Sequence, residues 1–94
     1  MPTSNYNIGE SDGWVQIAAA PTEVRVTGYP HSHPYYLFAS AAPPTSSDIG
    51  ILACHHPFQT TNKMTDNLYA RVVNPVPNSK NMDGKLRLDV FVIT

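Results

Sequence analysis

The last stretch of the chain, Lys85-Leu86-Arg87-Leu88-Asp89-Val90-Phe91-Val92-Ile93-Thr94, constrains the fold more than any other. Leu86, Leu88, Val90 and Val92 share one side of an extended backbone, while Lys85, Arg87 and Asp89 share the other. Successive side chains of a strand point to opposite faces, so a two-residue period marks a β-strand with its apolar row on a core. Phe91 and Ile93 interrupt the polar side. The end of the strand is therefore expected to be covered on both faces, by the chain itself or by a partner. It is expected to run to the final residue and tie it into a sheet.

The same alternation recurs upstream. Trp14-Val15-Gln16-Ile17-Ala18 reads as a first strand, with Trp14 as a core or sheet-end anchor. Glu23-Val24-Arg25-Val26-Thr27 follows, with Val24 and Val26 inward and Gly28 as its end. Tyr35-Tyr36-Leu37-Phe38-Ala39-Ser40 is apolar on both faces, which suits a central strand or one that meets a partner. Ile49 to Cys54 is a fourth candidate. From His55 to Asn67 the pattern dissolves, with Phe58 as a local plug for the core. Leu68 to Val73 restores it, with Leu68, Ala70 and Val72 inward, and Asp83-Gly84 is a turn signal before the last strand. The expected core is Trp14, Tyr35, Leu37, Leu68, Val72, Leu88 and Val90.

No segment shows a sustained helical period with caps. Nine prolines in 94 residues, with few charges, leave rigid irregular connections between the strands. The fold class is all-β: a small antiparallel β-sandwich or β-barrel with long irregular Pro-rich loops. Residues 1–13 are expected to be an extended N-terminal arm without a core of its own, and residues 14–94 a single domain. A domain of this size buries a modest share of its surface. Cys54 is the only cysteine, so no intrachain disulfide staples it. Oligomerisation is the simplest remaining source of stability.

Composition also narrows function. The formal net charge is −1 and no basic stripe is present, which argues against nucleic-acid binding. No apolar run reaches the ~20 residues that a membrane-spanning helix needs. Met1-Pro2-Thr3-Ser4-Asn5 lacks the basic and apolar regions of a signal peptide, so synthesis in the cytoplasm as a soluble chain is expected. The four histidines are the one cluster with metal chemistry in it. His31 and His33 point the same way in an extended chain; His55 and His56 are adjacent. The pairs fall in two loops and match no zinc spacing. Solvated histidines are the simpler reading, and no cofactor is expected.

Cys54 beside His55 has the composition of a nucleophile and base, but neighbours in an extended segment point apart, and a buried thiol at a strand end explains it better. The carboxylates stand singly, without an acid–base pair, and no phosphate-binding glycine loop occurs. An enzyme is not expected. Tyr29, Tyr35, Tyr36 and Phe38 offer an aromatic platform of the kind a carbohydrate-binding module uses, although core and interface packing account for them more simply.

The order of these elements resembles a known group. A tryptophan opens an early strand, a Val-x-Val strand follows at Val24 and Val26, an aromatic strand leads into Ser40-Ala41-Ala42-Pro43-Pro44, and Leu68-Tyr69-Ala70-Arg71-Val72 precedes a valine-rich terminal strand. This resembles the small β-sandwich virion proteins of tailed bacteriophages. The resemblance covers residues 14–94; the loop at 74–84 and the histidine loop at 30–34 depart from it. It implies a capsid decoration or cement protein on the virion surface, an oligomer (a trimer by the habit of the group), with the major capsid protein and copies of itself as partners. It also implies a second reading, a head-fibre base or a neck or tail component. The residues expected at such interfaces are Tyr6, Ile8, Tyr29, Tyr36, Phe38, Val76, Met82 and Phe91.

Overall fold

A computed structural model describes residues 3–29, 33–45, 47–48, 50–53, 58–59, 65–72 and 84–93. These form strands β1 (Thr3–Ile8), β2 (Val15–Ala18), β3 (Val24–Tyr29), β4 (Tyr35–Ser40), β5 (Ile51–Ala53), β6 (Phe58–Gln59), β7 (Asn67–Arg71) and β8 (Leu86–Val92), with a single 3₁₀ turn at Glu10–Asp12. The strands make two antiparallel sheets, ordered β1-β8-β3-β6 and β2-β7-β4-β5. The fold is thus a sandwich of two separate sheets rather than a closed barrel.

The C-terminal alternation builds the centre of the first sheet. β8 lies between β1 and β3, pairing Leu88 with Tyr6 on one side and with Gly28 on the other. Leu86, Leu88 and Val90 are buried, as their two-residue spacing requires. Each such side chain contributes about 1.5–3 kcal/mol of burial free energy. Val24 and Val26 on β3 extend the same apolar row. From the second sheet, Ile17, Tyr35, Leu37, Leu68, Ala70 and Val72 close on it. Phe58 on the short edge strand β6 packs against this cluster, the plug its position suggested.

Several expectations need correction. Residues 3–8 are not an arm: β1 pairs with β8 over its whole length, and Ile8 is fully buried. The physical reason is that β8 has two backbone edges and β3 satisfies only one of them. Tyr6 and Ile8 share the face that meets the core, a short alternation hidden among polar residues. Gly28 does not end its strand; β3 continues to Tyr29 because the ladder to β8 runs on through Leu88 and Arg87, and glycine stands at 28 because that inward position faces the Tyr35 ring with no room for a side chain. Among the described residues the fourth strand covers Ile51–Ala53, with Gly50 outside it; Ile49 and Cys54, the expected strand end with its thiol, lie outside the described residues. β8 ends at Val92, where Ile93 still donates its N–H to the Glu23 carbonyl at 2.7 Å.

The connections are held by small local devices. Asp12 accepts the Gly9 N–H on Oδ2 at 2.7 Å and returns its own N–H to the Gly9 carbonyl at 3.1 Å, closing the turn after β1. The Ala20–Pro21 peptide is cis, and the Ala20 N–H reaches Oδ1 of Asn67 at 2.9 Å. Gly84 takes a positive φ of 72° at the expected turn into β8.

Candidate functional site

Three surfaces of the sandwich carry residues that its core does not use. The first is the edge strand β5. Among the described residues it pairs with β4 alone, aligning Ile51 with Leu37, Leu52 with Tyr36 and Ala53 with Tyr35. Partners directly across a ladder share a face. Ile51 therefore lies on the core side and Leu52 on the outer side, yet they are 66% and 57% exposed. A shallow groove of about 300 Å³ runs beside them, lined by Leu37, Phe38, Ala39, Gly50 and Ile51. An exposed apolar edge without a charged guard residue is a ready template for contact with another chain.

The second surface is the outer face of the second sheet. Trp14 is not in the core. It stands half-buried at the start of β2, its ring 5.8 Å from that of Phe38 and inclined at 49°. Its Nε1 donates to the Thr45 carbonyl at 3.0 Å. A Cβ placed on Gly50 would lie 3.0 Å from the indole Cη2 and against the Leu37 carbonyl, so the close approach of Trp14 and β4 requires glycine there. Tyr69, directly across from Phe38 on one side and Gln16 on the other, is buried on this outer face. Only the inward residues of this strand were expected to be buried. The signal that points to Tyr69 is the concentration of aromatics on neighbouring strands, which lets rings shield one another. Asp48 braces the adjoining loop, accepting the Thr45 N–H at 2.7 Å.

The third surface is the outer face of the first sheet. β8 projects Arg87, Asp89 and Phe91 away from the core. The ladders set Asn7 and Tyr29 on either side of Arg87, and Asn5 and Thr27 on either side of Asp89. Arg25 lies across from Phe91. Arg87 and Asp89 form a two-pronged ion pair, with Nε to Oδ1 and Nη2 to Oδ2 both at 3.0 Å. This pairing holds the Arg87 guanidinium above the ordinary arginine range, first through the hydrogen bond and then through the carboxylate charge. Tyr29 is 52% exposed and Phe91 40% exposed. Phe91, expected to be covered by the chain itself or by a partner, is left 40% exposed by the described chain.

The expected site residues are therefore scattered. Ile8 sits in the chain's own core and cannot serve an interface, and Tyr6 is half-buried against that core. Tyr29 and Phe91 belong to the outer face of the first sheet, Tyr36 and Phe38 to that of the second, and Tyr35 is buried between the sheets. The four aromatics do not form one platform, because alternation along β4 and the passage from β3 to β4 divide them among three environments. His33 is half-buried after β3; His31, His55, His56, Val76 and Met82 lie outside the described residues. Among the described residues, no three metal-ligating side chains come together. No protein-family model, curated protein or solved structure matches the chain.

Proposed function

We propose that this chain is a structural protein of a tailed-bacteriophage virion, a decoration or cement protein that oligomerises, as a trimer, and binds across adjacent capsid subunits. The observation that carries the reading is the apolar edge strand β5, with Ile51 and Leu52 exposed on its two opposite sides. A chain that works by contact needs such a surface, and one in which both faces of an edge are apolar suits burial between two neighbours. The order of strands and the Leu68-Tyr69-Ala70-Arg71-Val72 segment supply the likeness to virion proteins.

The mechanism is mechanical. A ligand that binds only the assembled shell adds its binding free energy to the cost of taking the shell apart. A proline-rich sequence suits this work, since proline lowers the conformational entropy that a free connection has to lose on docking. The test is mass spectrometry and electron cryomicroscopy of particles produced by the phage that encodes the chain. The expected result is a stoichiometric component seen as protrusions where capsid subunits meet. Absence of the chain from purified particles overturns the proposal.

A further inference from the structure

We propose that the outer face of the first sheet binds a neutral glycan, a chain of linked pyranose rings. The proposal does not depend on the virion role. It starts from the grid that β1, β8 and β3 display. One row reads Asn7, Arg87, Tyr29 and the next reads Asn5, Asp89, Thr27. Neighbours within a row stand about 4.5–5.5 Å apart. The rows are roughly 6.7 Å apart, two strand residues.

The chemistry of this grid matches a polyol. A sugar hydroxyl both gives and accepts a hydrogen bond, and adjacent hydroxyls on a ring present the two functions side by side. The Arg87–Asp89 pair does the same. Its two 3.0 Å hydrogen bonds hold the guanidinium and the carboxylate side by side, donor next to acceptor. Among the described residues the pair uses two of the five guanidinium N–H bonds, so three of them and the outer lone pairs of the carboxylate can meet a ligand. Asn5, Asn7 and Thr27 each offer both functions at the sides. Tyr29 presents a half-exposed ring next to Arg87, and Phe91 presents another two residues beyond Asp89. Rings of this kind pack against the C–H faces of a pyranose. The Tyr29 and Phe91 rows are roughly 13 Å apart along the strands, so linked rings rather than a single sugar reach from one to the other.

Charge selects among the classes of occupant. Arg87 and Asp89 cancel. Arg25 has Glu23 two residues before it on the same strand path, so charges of opposite sign alternate there as well. The centre of the face is thus a self-neutralised pair, with charges of both signs around it and no run of one sign, which suits an uncharged ligand better than a polyanion. A polyphosphate or nucleic acid would set its phosphates, which have no hydrogen to donate, against the carboxylate of Asp89 at the centre of the face.

The experiment is native electrophoresis of the purified chain through gels containing dextran, soluble starch, hydroxyethylcellulose or galactomannan, with polygalacturonate and polyphosphate as charged controls. Retardation by at least one neutral polymer is expected. Tyr29→Ala should weaken it roughly three- to tenfold, the loss of one stacked ring, whereas Tyr29→Phe should keep it. Asp89→Ala should weaken it at least as much, with thermal unfolding showing that each variant is folded. Retardation by none of the neutral polymers overturns the proposal. So does retardation that Tyr29→Ala leaves intact, or retardation by the charged polymers alone.

Discussion

The ring of Tyr35 on β4 lies directly over Gly28 on β3, so that a Cβ placed on Gly28 would stand 2.9 Å from the ring Cε1. The two residues belong to different sheets, and both are buried. The contact sets how closely the sheets approach at this end of the sandwich. Tyr35 cannot swing aside, being 2% exposed and packed within the core. Gly28→Ala is therefore expected to destabilise the fold by about 1–3 kcal/mol, the usual cost of overpacking a core. In a domain of this size each kcal/mol lowers the melting temperature by roughly 4–8 °C. Calorimetry checks it; a melting temperature equal to that of the parent chain would show that the sheets can part freely here.

Leu88→Ala tests whether β8 is the centre of the core, as its burial between β1 and β3 indicates. Truncating a buried leucine removes transfer free energy and leaves a cavity, at a cost of about 2–5 kcal/mol. Urea unfolding should show the midpoint falling with little change in slope. A loss below about 0.5 kcal/mol, the size seen at exposed positions, would contradict the central placement.

What could be read from the chain and what could not follows from where periodicity is strong. β3, β4, β7 and β8 declare themselves because Val24 and Val26, Tyr35 and Leu37, Leu68, Ala70 and Val72, and Leu86, Leu88 and Val90 repeat every second residue and are all buried. β1 escapes notice because Ser4, Asn5 and Asn7 surround its two inward residues, Tyr6 and Ile8. Its place is decided by the open edge of β8, a tertiary demand that local pattern does not carry. Trp14 misleads for a related reason. Its size suggests the core, yet the indole N–H needs an acceptor, and the Thr45 carbonyl supplies one outside. The surface grid of Asn5, Asn7, Thr27, Arg87 and Asp89 is assembled from three strands distant in sequence, so no single stretch shows it.

Trp14 should hold the loop after β4 in place. Its indole N–H bonds the Thr45 carbonyl, and Thr45 is in turn tied to Asp48 by N–H to carboxylate and by the Asp48 N–H to its own carbonyl. Trp14→Phe keeps an aromatic against Phe38 and removes the bond, which should cost about 0.5–1.5 kcal/mol. Amide exchange at Thr45 and Asp48 should accelerate while exchange in β8 changes only by the global loss. Equal acceleration everywhere would mean that the bond supports the whole fold rather than this loop.

The Arg87–Asp89 pair should contribute little to stability and should not respond to alkali in the working range. The folded-state Arg87 value is raised, so its contribution is fully present below the unfolded value and is lost only as pH climbs through the folded one. Both lie far above neutrality. The difference in unfolding midpoint between the parent chain and Asp89→Asn should therefore stay constant from about pH 7 to about pH 10. It should shrink as salt is added, since the pair is exposed to solvent. A difference that varies over this alkaline range would mean that another group titrates through Asp89.

The edge strand β5 makes the sharpest separation between folding and association. Ile51 and Leu52 are mostly exposed in the single chain, so Leu52→Asp should change the unfolding free energy of the dissociated monomer by no more than about 0.5 kcal/mol. If copies meet through this edge, each buried aliphatic side chain adds about 1.5–3 kcal/mol to the contact. An aspartate in its place would have to be stripped of water without a partner charge, which costs several kcal/mol. Sedimentation equilibrium of the parent chain should then give an oligomer and that of Leu52→Asp a folded monomer. The same variant should fail to bind particles. A parent chain that stays monomeric at high concentration, or a Leu52→Asp variant that still binds particles, would place the contact surface elsewhere on the sandwich.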